Sequence, residues 1–141
     1  MKVYELLHSR VVDQCEDGSK IYDTKCVGYF SDLSIVNRTI KDYQKITGFK
    51  DYPNDFTVCE HVVSGENVSS VFVLFHEYYV PKGDYDEVAC LGLFVTKEEA
   101  ETALNTYKRS LKYAGCPDGF SIDEYLINEL NWIEDFISNK V

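Results

Sequence analysis

His8 and His76 have the clearest claim to chemistry in this 141-residue chain. Each closes a similar run, Val3-Tyr4-Glu5-Leu6-Leu7-His8 and Val71-Phe72-Val73-Leu74-Phe75-His76. Imidazole titrates near neutrality, so two rings in equivalent positions could serve as acid and base, or as ligands of a small molecule between two halves. The plainer reading is that each ring hydrogen-bonds a nearby loop and fixes a hairpin. Period-two alternation puts His8 on the face of Tyr4 and Leu6, and His76 on that of Phe72 and Leu74, which implies partial burial. His61 answers to Tyr125 in the other run, which favours a surface or packing role.

The five cysteines, Cys15, Cys26, Cys59, Cys90 and Cys116, are odd in number and widely spread. They form no pair with metal-ligand spacing, so no metal and no cofactor is expected, and reduced thiols are the default. Cys26 and Cys90 sit beside apolar residues in mid-strand and read as inert core thiols. Asp118, Asp123 and Glu124, with Glu129, Glu134 and Asp135 beyond them, form an acidic series without the spacing of a calcium loop. Paired carboxylates of the glycosidase kind stay open. The other readings are a solvated acidic face or a docking surface for a basic partner. Tyr78, Tyr79, Tyr85 and Trp132 flank these acids; such rings suit interface hot spots, or they fill a small core. No phosphate-binding glycine loop or serine elbow is present, and the chain reads as a non-enzyme.

The elements that must position these residues come as a repeat. Cys26/Cys90, Gly28/Gly92, Phe30/Phe94, Tyr43/Tyr107, Pro53/Pro117, Phe56/Phe120 and Glu60/Glu124 are identical pairs at an offset of 64. Ahead of Cys26 the offset is 68, which predicts a longer loop in the first copy around Asp13 to Lys20. Each copy reads strand, strand, helix, strand. The first strands are Val3 to Arg10 and Val71 to Val80, and the second Lys25 to Phe30 and Val88 to Val95. Gly28 and Gly92, in mid-strand, point to a bulge or a close backbone approach. Thr96 opens a capping box with Glu99, followed by a stripe of Ala100, Leu104, Tyr107 and Leu111. In the first copy Ser31 or Asp32 caps Leu33, Val36, Ile40 and Tyr43, and Gly48 ends the helix. Third strands run from Phe56 to Val63 and from Phe120 to Ile127. The expected fold is therefore α+β: two ββαβ repeats, 1–63 and 71–141, joined by a linker at 64–70. They would form one monomeric, compact pseudo-twofold pseudo-dimer with antiparallel sheets, one helix per repeat and a C-terminal extension. Halves of this size bury too little surface to stand alone.

The second copy resembles a family of small bacterial domains of unknown function. Its members run VYxLxH, a charged hairpin, GxFxxxEEAexA, GFxxyPdGFxIdEY and a terminal WxEGF. The matching residues are Val71 to His76, Gly92-Leu93-Phe94, Glu98-Glu99-Ala100, Pro117-Asp118-Gly119-Phe120, Ile122-Asp123-Glu124-Tyr125 and Trp132-Ile133-Glu134-Asp135-Phe136. Asp135 departs from the family's Gly, and the first copy has no equivalent of Trp132. The resemblance carries no activity with it. Some small acidic bacterial proteins of this kind act as immunity proteins beside secreted toxins.

Charge agrees with that association. Lys plus Arg total 14 against 24 Asp plus Glu, a net −10, which excludes a nucleic-acid backbone binder and docking on anionic lipid. The apolar fraction of 45% suffices for a core. The start, with Lys2 and an apolar run broken by Glu5, is too short and polar for a signal peptide, and no run approaches the ~18 apolar residues of a membrane span. The expectation is a cytoplasmic, non-enzymatic protein that binds a basic toxin domain through Tyr78, Tyr79, Tyr85, Asp118, Asp123, Glu124, Trp132, Glu134 and Asp135. The alternative is a small-molecule sensor or enzyme using His8 and His76 at the repeat interface.

Overall fold

Runs rich in β-branched and aromatic residues form strands, and two capped amphipathic runs form helices. Their order is β1 (Lys2–Gln14), β2 (Lys20–Phe30), α1 (Leu33–Tyr43), β3 (Phe56–Val62), β4 (Ser70–Val80), β5 (Tyr85–Phe94), α2 (Lys97–Lys108) and β6 (Phe120–Leu126). The computed structural model describes residues 1–46, 49–113 and 118–131. The predicted stop at Gly48 and the turn at Cys116-Pro117 lie outside them. The fold is α+β, with two antiparallel three-stranded sheets ordered β2-β1-β3 and β5-β4-β6. Two compact units result: Lys2–Val62 with Ile127–Val141, and Met1 with Val63–Leu126. Among the described residues no helix is long and apolar enough to cross a membrane.

In the first unit Leu6 lies opposite Gly28 and Leu7 opposite Cys26, with a register shift between them. In the second, Leu74 lies opposite Gly92 and Phe75 opposite Cys90, with the same shift. The bulge expected at the mid-strand glycines is present at both, and the close backbone approach at Gly28 alone. A Cβ on Gly28 would stand 2.6 Å from the Glu129 carbonyl and 2.9 Å from the Phe30 ring; on Gly92 it would meet the Phe94 ring at 2.9 Å. Cys26 is half-buried, but Cys90 is exposed, so it is not the core thiol expected from its apolar neighbours.

Only one of the four extra residues of the first half enlarges the loop, which spans 15–19 against 81–84; the other three go into the strands. They lengthen the hairpin: β1 pairs with β2 out to Gln14 opposite Lys20, and a second shift falls between Val11 and Asp13. A short turn closes it, the Cys15 amide donating to the Ser19 carbonyl at 2.7 Å. Val11, Val12 and Ile21 are strand formers, so the insertion extends the ladder and leaves them exposed on it.

The first unit's core is Leu6, Val27, Phe30, Val36, Tyr43 and Phe49, with Tyr4, Ile35, Ile40, Ile46 and Phe56 packed against it. Asp32 is the cap of α1, its carboxylate accepting the Ser34 amide at 2.6 Å. Leu33 is exposed although it shares the buried stripe; it sits in the first turn, and burial begins at Ile35 and Val36. Thr39 is buried instead, its hydroxyl donating to the Ile35 carbonyl at 2.8 Å, which removes the cost of burying it. In the second unit Thr96 accepts the Glu99 amide at 3.2 Å, Ala100 is buried, and Leu104 and Tyr107 are half-buried.

β6 ends at Leu126. Ile127, expected as its last residue, forms a parallel bridge to Tyr29 in the first unit. Asn128 then adopts φ 67, a left-handed conformation that asparagine tolerates. Its amide donates to the Tyr29 carbonyl at 2.7 Å, and its side-chain oxygen accepts the Ser31 amide at 3.0 Å. The Asn131 amide donates to the Val27 carbonyl at 3.0 Å.

Candidate functional site

The two equivalent histidines are both buried. His8 donates from Nε2 to the Tyr52 carbonyl at 3.1 Å, so it fixes the loop ahead of β3. Its ring meets Phe49 and Phe56 edge-on, each at 4.7 Å between centroids. Burial holds its imidazole below the ordinary value, against the Tyr52 hydrogen bond and the nearby Asp55 carboxylate. His76 has the same setting, with Tyr113 and Phe120 each at 4.6 Å. Gly119 is required there, because a Cβ would stand 2.1 Å from the Glu77 carbonyl and 3.1 Å from His76 Nε2. Each ring thus sits in an aromatic cage within its own unit.

A polar chain that sequence reasoning missed crosses the first sheet. Glu5 accepts from Tyr29 Oη and from His61 Nε2, each at 3.1 Å. Glu5 lies opposite Tyr29 on β2, and His61 is opposite Val3 on β3, one diagonal away. Burial, then the neighbouring Cys26 and Glu5, pushes the Tyr29 hydroxyl well above the ordinary tyrosine value. The signal was present in Glu5, an acid interrupting an apolar strand, but only the strand register reveals its partners.

The remaining candidates gather on the hairpin of β4 and β5. Tyr78 lies opposite Glu87, and its hydroxyl donates to that carboxylate at 2.7 Å. Tyr79, exposed and opposite Asp86, donates to Asp84 across the turn. That bond holds the Tyr79 hydroxyl above its ordinary value. Tyr85 opens β5 opposite Val80. Asp118 is exposed and precedes Gly119, whose carbonyl accepts the Glu77 amide at 2.8 Å, so it belongs to this end of the sheet. Asp123 and Glu124 pair with Val73 and Phe72, six positions from Tyr79 and Tyr78, or about 20 Å along the strand. Trp132, Glu134 and Asp135 lie outside the described residues. Glu77, Asp84, Asp86 and Glu87 join the hairpin's acids, although sequence reasoning had not chosen them. Among the described residues no three His, Cys, Asp or Glu side chains converge as a metal site.

Residues 69–136 match a domain of unknown function, DUF7336. The match spans β4, β5, α2 and β6, the part of the chain carrying the acidic hairpin. No curated protein and no solved structure gives a significant match.

Counter-charge differs between the two sheets. On the first, Asp23 meets Lys25 at 2.6 Å and Arg10 at 3.4 Å, and Glu60 meets Lys2 at 3.6 Å. Burial pushes the Asp23 carboxyl up, but Lys25 and Arg10 outweigh it and hold the group below its ordinary value. Among the described residues, the acids of β4, β5 and β6 have no ion pair of this kind.

Proposed function

We propose that the chain is a non-enzymatic, acidic binding protein: a bacterial immunity protein that neutralises a basic toxin domain by direct contact, in the cytoplasm and as a monomer. The uneven counter-charge carries this reading. Asp23 and Glu60 on the first sheet are balanced by the chain's own Arg10, Lys25 and Lys2, whereas Asp84 and Glu87 of the β4–β5 hairpin are met by tyrosine hydroxyls. A carboxylate fixed by a hydroxyl keeps its charge and its aim. Beside exposed aromatic surface, such groups suit a guanidinium or ammonium through charged hydrogen bonds and cation–π contact. The caged histidines give the small-molecule alternative no comparable support.

The same reading takes the halves as tandem copies of one ββαβ unit. The shared glycine and cysteine register and the pairing of each histidine with a β3 or β6 phenylalanine support it. A cationic toxin encoded beside this gene should co-purify with the chain. In stopped-flow binding, the triple variant Asp84→Asn, Asp86→Asn, Glu87→Gln should slow association about tenfold, while Asp13→Asn with Asp17→Asn should change it little. Equal effects of the two variants would overturn the assignment to this hairpin.

A further inference from the structure

Glu60 and Glu124 hold equivalent positions, opposite Tyr4 on β1 and Phe72 on β4. Glu60 is neutralised by Lys2. The counterpart of Lys2 in the second half is Ser70, whose hydroxyl donates to Glu124 at 3.5 Å. Among the described residues no cation lies within ion-pair distance of Glu124. In front of it opens a groove of about 440 Å³, bounded by Phe72, Ile122, Lys97 and Glu124. Its volume falls in the range of small-ligand sites. The apolar part is a phenyl ring and an isoleucine; one charged wall is this carboxylate. The other is Lys97, whose ammonium is 4.0 Å from Glu101 one turn along α2.

An apolar floor ending on a carboxylate fits a side chain with a hydrocarbon stem and a cationic head. Arginine fits best, because its stem packs on apolar surface and its planar fork bonds a carboxylate at two points. We infer that this groove anchors an arginine side chain of the basic partner, its stem over Phe72 and Ile122 and its guanidinium on Glu124; the inference rests on the function proposed above. Lys97 repels the head and so fixes its direction. At Glu60 Lys2 already supplies the cation.

The probe is N-acetyl-arginine amide, titrated into the isotopically labelled full chain at low salt and followed by amide shifts, with N-acetyl-norleucine amide as the neutral control. Saturable shifts should centre on Phe72, Lys97, Ile122 and Glu124. Glu124→Gln should weaken binding about fivefold, because a charged pair becomes a neutral one. Lys97→Met should tighten it about twofold by removing a like charge, and Glu60→Gln should leave it unchanged. Glu124 is exposed, and the unligated spectrum of each variant reports its fold. Weakening by Lys97→Met would mean that the groove takes a zwitterion or an anion, and would overturn the inference. So would binding that Glu124→Gln leaves unweakened, or no saturable shift. A cationic partner that binds wild type and Glu124→Gln equally overturns the groove alone. Failure of every cationic partner to bind the wild-type chain overturns the function itself.

Discussion

A histidine on an apolar strand is ambiguous until its neighbours are known, and His8 resolves toward structure. Burial disfavours the charged form of its ring and holds its pKa below the ordinary value when folded. The unfolded chain takes up a proton near 6.5, the folded chain only at lower pH. Between those values the unfolded state binds more protons, so stability is full above pH 6.5 and falls as pH drops toward the folded value. Melting temperatures between pH 7.5 and 5 should show this decline, and His8→Gln should flatten it. Wild-type and variant slopes that coincide would remove His8 from the account. Tyr29→Phe should cost about 1–2 kcal/mol in denaturant unfolding, because Glu5 loses one of its two donors in a half-buried setting. The position and burial of His8 and His76 were legible from alternation alone. The Glu5 network was not, since its three residues are far apart in the chain and meet only through pairing across β1, β2 and β3.

Helices and strands were readable where local chemistry decides them. Thr96 and Asp32 announce their helices by the hydroxyl or carboxylate that accepts a first-turn amide, and Thr96→Ala should cost about 1 kcal/mol. What the sequence hid is where chain segments go after they leave an element. Ile127 continues the apolar alternation of β6, yet it pairs with Tyr29, and Asn128 and Asn131 bond β2 behind it. Gly28 and Gly92 look interchangeable in the sequence, but only Gly28 has a backbone carbonyl pressed against it. Gly28→Ala should therefore push out the 127–131 segment, whereas at Gly92→Ala only the Phe94 ring need shift. Hydrogen exchange should show the Asn128 and Asn131 amides losing protection in Gly28→Ala and keeping it in Gly92→Ala. Equal loss in both would mean that the carbonyl contact does not govern the seating of that segment.

Net charge is read directly from composition; its distribution is a property of the folded molecule. The unit of Met1 and Val63–Leu126 carries eleven Asp and Glu against five Lys and Arg, while the other carries thirteen against nine. The totals differ modestly. The larger difference is that cross-strand register brings Lys2 to Glu60 and Arg10 to Asp23, which Lys25 also meets from two residues along β2, whereas Ser70 stands where a second Lys2 would be. No scan for charge runs detects this, because the paired residues are separated by up to 58 positions, as Lys2 is from Glu60. An exposed, uncompensated field steers a cationic partner over distances comparable to the Debye length, which shrinks from about 14 Å at 50 mM salt to about 4 Å at 500 mM. Association with the cationic partner proposed above should therefore slow by about tenfold or more across that range while dissociation changes much less, since contacts buried in such a complex would be screened little. Stopped-flow rates at several salt concentrations separate the two. An association rate indifferent to salt would leave shape and apolar contact as the basis of recognition and would remove the acidic hairpin from it.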